Sequence, residues 1–248
     1  MRAVVAQRGL IYPILFSLYV NDIPSPTHHV EMELKANYTA LIATSRKTTL
    51  LLKNIESNLN DLQRWFSDWR KVINVSESTA IILARAGRRF IQPRPVTFFG
   101  EPIDWVDTTR YLGVTLDKRH TWSPNNDQVR KRTAQMMGIG GPFQNRKGDL
   151  SIRNGVLLYN QLIRSMMHYA CPAWRSAALS HVRRLQVLQS KCLRLAIVAP
   201  SYVSHRQIDD DLGVPMFTDH IRALTESFKP KLANVGKPSS RHLGRYLN

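Results

Sequence analysis

The chain has 248 residues, 43% of them hydrophobic, enough to bury one or two cores and to set it apart from disordered and fibrous sequences. Thirty-five Lys and Arg against 18 Asp and Glu give a formal charge of +17. A polyanionic partner is therefore expected, because each phosphate neutralised releases counterions; a charge that only keeps the protein soluble is the plainer alternative.

Pro13 suits the first turn of a helix running to Tyr19 or Val20, and Pro24 and Pro26 end it. Met32, Leu34 and Ala36 alternate with Glu31, Glu33 and Lys35, which predicts a strand. Residues 39–43 supply its returning partner, with Asn37-Tyr38 as the connecting turn. Over 48–72, apolar residues at Leu52, Ile55, Leu59, Leu62, Phe66 and Trp69 are spaced by three and four, the mark of one face of a long amphipathic helix. Trp65 and Trp69 could stack bases, but an aromatic stripe at helical spacing is more often core. Residues 79–84 read as a strand, 85–95 as a basic, turn-rich linker, and 96–100 with 110–116 as the rest of a small β region. Beyond Trp122 the pattern becomes helix upon helix, over about 124–137, 151–168, 178–198 and 217–235. The expected class is α+β, with a mixed first domain over 1–120 and an all-helical second domain over 121–248.

Several segments carry a family resemblance. Leu34-Lys35-Ala36-Asn37-Tyr38-Thr39-Ala40-Leu41-Ile42, preceded by Pro13-Ile14-Leu15-Phe16-Ser17-Leu18-Tyr19-Val20-Asn21-Asp22-Ile23-Pro24, resembles the palm of reverse transcriptases (RNA-directed DNA polymerases) from jockey-type non-LTR retrotransposons. Ala6-Gln7-Arg8-Gly9 is similar to that family's Pro-Gln-Gly segment, and Ile73-Asn74-Val75-Ser76-Glu77-Ser78-Thr79 to its Asn-x-x-Lys-Thr segment without the lysine. Tyr111-Leu112-Gly113-Val114-Thr115-Leu116-Asp117 is similar to the primer-grip hairpin. Trp122-Ser123-Pro124, Leu158-Tyr159, Tyr169-Ala170-Cys171-Pro172-Ala173-Trp174, Leu185-Gln186-x-Leu188-Gln189-x-Lys191-Cys192-Leu193-Arg194 and Asp211-Leu212-Gly213-Val214-Pro215 resemble the C-terminal helical part. The resemblance implies a partial palm followed by a thumb-like helical region. It also implies that fingers, the strand bearing the first catalytic aspartate and any endonuclease would precede Met1, so a truncated, degenerate remnant of the mobile element's polymerase is expected.

In the family, the centre of the palm motif reads Tyr-Ala-Asp-Asp. Here Lys35 stands for the tyrosine, Asn37 for the first aspartate and Tyr38 for the second. The family's nucleotidyl transfer uses two Mg2+ ions, hard cations that require anionic oxygen ligands. Asparagine offers a neutral carbonyl and tyrosine an un-ionised phenol, so no catalytic residue and no metal ligand is assigned, and a pseudoenzyme without bound cofactor is expected. Glu33 cannot substitute, lying roughly 13 Å from Asn37 at ~3.3 Å per strand residue. Asp104-x-x-Asp107 and Asp209-Asp210-Asp211 are read as surface or capping residues. His28-His29 has no further ligands at metal spacing, the Gly138-Ile139-Gly140-Gly141-Pro142 run lacks the Lys-Ser/Thr of a phosphate loop, and no Gly-x-Ser-x-Gly elbow occurs.

Binding is read separately from catalysis. At ~100° per residue, Arg183, Arg184, Lys191 and Arg194 fall within an arc of roughly 100° on the helix over 178–198, beside an arc of Leu185, Leu188, Cys192 and Leu195. One side packs and the other is basic, as in a thumb helix following a phosphate backbone, although a solvated helix face has the same pattern. Lys118 and Arg119, with Arg85, Arg88, Arg89, Arg130, Lys131 and Arg132, are further candidates for contacts to RNA or DNA that carry no sequence information. No apolar run reaches the ~20 residues needed to span a bilayer, and residues 1–20 lack a signal-cleavage pattern. Cys171 and Cys192 form no Cys-x-x-Cys pair. An intracellular protein with two reduced, buried thiols and no membrane association is expected. A fragment of a longer active polymerase, and a product with no selected biochemical role, remain as alternatives.

Overall fold

The structure is a computed structural model that describes residues 12–27, 29–35, 38–71, 73–83, 92–138, 151–197 and 199–234. It is α+β, and it divides into two compact units, Met1–Ala80 with Phe90–Val106 and Ile81–Arg89 with Asp107–Asn248. The hairpin that carries the Tyr-Leu-Gly segment thus groups with the helices that follow it. Among the described residues, no helix is long and apolar enough to cross a membrane.

In the first unit, helix α1 (Tyr12–Tyr19) is followed by an antiparallel pair, β1 (Val30–Lys35) and β2 (Tyr38–Ala43), in register from Val30 opposite Ala43 to Lys35 opposite Tyr38. Helix α2 (Thr48–Asp68) lays Leu52, Leu59 and Leu62 into a core with Val75, Val96, Phe98 and Ile103. Each such side chain contributes about 1.5–3 kcal/mol by leaving water. Strands β3 (Val96–Phe98) and β4 (Glu101–Ile103) pair through a tight turn at Phe99-Gly100. Both turn residues have positive φ, as twisted hairpins require. Gln63 on α2 holds this turn, its Oε1 accepting from the Phe99 amide at 3.0 Å.

Two expectations for this unit need correction. The helix ends at Asp68, so the periodic stripe does not extend to Trp69, which lies at the C-cap and is 44% exposed. Trp65 is the buried ring instead, 5.1 Å between centroids from Tyr19. Of the strand expected over 79–84, the described residues 79–83 show one parallel bridge, between Ala80 and Trp105.

The second unit opens with the antiparallel hairpin β5 (Thr108–Tyr111) and β6 (Val114–Asp117), turning at Leu112-Gly113 with φ of 46° and 82°. Helix α3 (Ser123–Gly138) lies beside α7 (Leu179–Ala196) and runs the same way: Asp127 is 4.0 Å from Arg184 near their starts, and Met137 Sδ is 3.1 Å from Cys192 Sγ near their ends. The helix predicted over 151–168 forms as α4 (Ile152–Leu158), a π-helical turn (Tyr159–Arg164) and α5 (Ser165–Met167). Gly155 permits α4 to cross α7 closely, since a Cβ there would sit 2.7 Å from the Ala196 carbonyl oxygen. Two helices had not been expected, α6 (Cys171–Trp174) with Pro172 in its first turn and α8 (His205–Asp211). Helix α9 (Phe217–Asn234) completes the unit.

The core of this unit centres on Tyr159, Ile163, Met167, Trp174, Leu193 and Phe217. Cys171 and Cys192 are free and buried in it, and burial pushes their thiols up to about 11 and about 12.

Candidate nucleic-acid interface

Of the degenerate palm positions, Lys35 and Tyr38 stand opposite each other where β1 ends and β2 begins. Tyr38 is not in the turn, as expected, but is the first residue of β2, opposite Lys35 and 51% exposed. Asn37 lies outside the described residues, as do His28, residues 139–142 and Arg85, Arg88 and Arg89. Glu31 pairs with Ile42 and Glu33 with Ala40, farther along the strands. A lysine and a phenol at this pair are a poor fit to a divalent cation, which needs anionic oxygens. Among the described residues, no three His, Cys, Asp or Glu side chains gather into a group that could hold a metal ion.

The α7 cations divide into two kinds. Arg183, Arg184 and Lys191 are exposed along one face, with half-exposed Val187 among them. Arg194 is turned inward: its guanidinium donates to the Pro200 carbonyl and, at 2.6 Å, to the Val203 carbonyl, and lies 3.4 Å from His205 Nδ1. It ties down the loop after α7, a role that helical angle alone cannot reveal. Leu195, placed on the packing arc by periodicity, is 44% exposed, although Leu193 and Ala196 beside it are buried.

Asp127 on α3 stands between Arg184 and Arg130, 4.0 Å and 3.6 Å away, so a basic face continues across the two adjacent helices with a single carboxylate in it. Lys131 is exposed on α3. Lys118 is paired with Asp107 at 2.6 Å, both well exposed, whereas exposed Arg119 has no ion pair among the described residues.

The segments that look like motifs in the sequence touch one another within this unit. Tyr169 donates its hydroxyl to the Leu112 carbonyl at 2.8 Å, joining the Tyr-Ala-Cys-Pro-Ala-Trp segment to the β5–β6 turn. Gln186 on α7 accepts from the Phe217 amide at 2.6 Å and donates to Asp209 at 3.2 Å. Gln189, fully buried, accepts from the Tyr159 hydroxyl at 2.8 Å and donates to the Pro215 carbonyl at 3.2 Å.

Comparison with known proteins gives this architecture its relatives. The chain is 26% identical over 251 residues to the RNA-directed DNA polymerase from mobile element jockey of Drosophila melanogaster, covering 97% of the chain and 27% of the relative. The Drosophila funebris jockey polymerase is 29% identical over 257 residues, 98% of the chain and 27% of the relative. The chain is similar to the RNA-directed DNA polymerases of jockey mobile elements. A probable RNA-directed DNA polymerase from transposon BS of Drosophila melanogaster is 27% identical, over 94% of the chain and 26% of the relative. The chain thus spans about a quarter of the length of these jockey-type relatives. No protein-family model and no solved structure matches it.

Within this chain, the Leu-Gln-x-Leu-Gln and Asp-Leu-Gly-Val-Pro segments are two halves of one buried contact. That contact overturns the reading of Asp209 as a surface or capping residue: it is 3% exposed, with Oδ1 unpartnered among the described residues. Burial raises its carboxyl and neighbouring Asp210 adds to this, against the opposing hydrogen bonds from Gln189 and Gln186. A carboxyl raised in the fold contributes stability below its unfolded value, and loses that contribution as pH climbs through the folded value. Asp209→Asn is accordingly expected to raise Tm by a few degrees at neutral pH and to have little effect at pH 3, in thermal melts followed by circular dichroism.

Proposed function

We propose that this chain is a reverse-transcriptase-related fragment that holds RNA or DNA without extending it. Its first unit stands for part of a palm, its second for a thumb together with the primer-grip hairpin, and its setting is intracellular. The observation that carries the absence of catalysis is the residue set at the bend, Lys35, Asn37 and Tyr38, where the family has Tyr-Ala-Asp-Asp. Two carboxylates fewer and one ammonium more leave the position unsuited to two Mg2+ ions. No metal-dependent step is assigned to this chain.

Binding is supported by the net charge of +17 and by the exposed Arg183, Arg184 and Lys191 beside Arg130. Such cations engage phosphates, so the interaction is strong in low salt, weak in high salt and indifferent to base sequence. The test of the catalytic half is primer extension on a primed RNA and a primed DNA template, with Mg2+ or Mn2+. No template-dependent incorporation above the protein-free control is expected. Incorporation by the purified chain would overturn the reading.

A further inference from the structure

The second unit contains a cleft of about 390 Å³ between the β5–β6 turn, α3 and the end of α5. None of the α7 cations lines it, and the proposed binding of nucleic acid makes no use of it. Gly113 shapes one side. With φ of +82° and no Cβ, it lets the Tyr169 ring approach until Cε1 lies 3.3 Å from where a Cβ would be. The hydroxyl of that ring is fastened to the Leu112 carbonyl at 2.8 Å, yet the residue is 57% exposed. A pinned aromatic ring open on one side is a stacking platform that needs little ordering on binding.

Val129 and Met166 supply apolar lining, Ser165 turns its hydroxyl hydrogen to the Gln161 and Leu162 carbonyls, and the amide and guanidinium groups around them offer donors. Asn125 spends its amide oxygen on the Thr115 amide at 3.1 Å, and Gln128 spends its own on the Thr115 hydroxyl at 2.8 Å. Each amide is left with its NH2 donors. Arg132, half-buried in the same wall, has no ion pair and no hydrogen-bond acceptor among the described residues. An apolar floor, a flat aromatic wall and a rim of donors with one unspent guanidinium select a flat ring that carries an anion. The volume is within the usual range for small-ligand sites of about 300–1,000 Å³.

We propose that this cleft binds a single nucleotide, its base against Tyr169 and its phosphate on Arg132. The nucleotide is either free or at the end of a strand, since both present the same chemistry. Isothermal titration calorimetry with 5′-AMP, adenosine and inorganic phosphate tests it. Saturable binding of 5′-AMP is expected, with adenosine and phosphate each about tenfold weaker or more. Arg132→Gln should weaken 5′-AMP about tenfold and leave adenosine unchanged. Tyr169→Leu should weaken both, and Tyr169→Phe, which keeps the ring but loses the Leu112 bond that pins it, should weaken both by less. The triple variant Arg183→Gln, Arg184→Gln, Lys191→Gln should also bind 5′-AMP normally. Displacement of 5′-AMP by an equal concentration of a 5′-phosphorylated pentanucleotide would assign the cleft to strand ends, and failure to displace it would assign the cleft to free nucleotides. No saturation by 5′-AMP in the folded wild type, or a loss confined to the α7 triple variant, overturns the proposal while leaving nucleic-acid binding by the α7 face to stand or fall separately.

Discussion

Replacing Trp174 with alanine should cost the second unit about 3–5 kcal/mol, the range for removing a large aromatic from a packed core. Trp174 is 0% exposed, and its indole N–H donates to the Tyr169 carbonyl at 2.9 Å. Alanine would leave both a cavity and an unpaired carbonyl. Because Tyr169 also holds the β5–β6 turn through Leu112, the loss should spread to the hairpin. Urea unfolding followed by near-ultraviolet circular dichroism measures it. Trp174→Phe separates the causes, retaining most of the packing and losing only the hydrogen bond, for about 1–3 kcal/mol. Equal midpoints for wild type and the alanine variant would refute this packing.

Asp117→Ala is expected to follow closely, at about 3 kcal/mol, because hydrogen bonds to a charged acceptor contribute more than neutral ones. The carboxylate accepts from the Trp122 amide at 2.8 Å and from the Thr121 amide and hydroxyl, both at 3.0 Å. These bonds hold a loop in which His120 and Trp122 both have positive φ, a conformation that costs free energy in residues other than glycine. The loop in turn delivers Trp122 to the core, where its indole donates to Ser176 at 2.8 Å. Burial pushes the Asp117 carboxyl up, but the donors from Thr121 and Trp122 together outweigh it and hold the group below its usual value. The sign follows from that depression. The stabilisation is complete above the unfolded carboxylate value of about 3.9 and is lost as pH falls through the lower folded value. Asp117→Asn should therefore be less stable than the wild type at pH 7, and the difference should shrink as pH falls through the folded value.

What the sequence reveals and what it hides follow from how far each signal reaches. The α2 stripe is legible because a buried face repeats every three or four residues, and Leu52, Leu59 and Leu62 are buried where periodicity puts them. Trp69 was misplaced because periodicity says nothing of where the helix stops. Helix α8 has a readable signal at its start: Ser204 followed by Gln207 is a capping-box spacing, and the Ser204 hydroxyl accepts from the Gln207 amide at 3.1 Å. The π-helical turn after α4 and the burial of Asp209 depend on contacts remote in sequence, which no local pattern encodes. At the candidate interface, the basic arc of α7 was legible from angles alone. The engagement of Arg194 was not, since it depends on where the loop through Pro200 and Val203 returns.

That engagement sharpens the central test. With all four α7 cations on phosphates, the salt slope on duplex DNA would be near −3 to −4; with Arg194 holding its loop, three remain, worth about −2.7 at ~0.9 per phosphate. Fluorescence anisotropy of a labelled duplex, titrated with the wild type and the Arg183→Gln, Arg184→Gln, Lys191→Gln variant at several salt concentrations, reads that difference directly. The triple variant is expected to flatten the slope by about 2 to 3 and to weaken binding alike for unrelated sequences. An unchanged slope in a folded triple variant, or no measurable binding by the wild type at low salt, would contradict it.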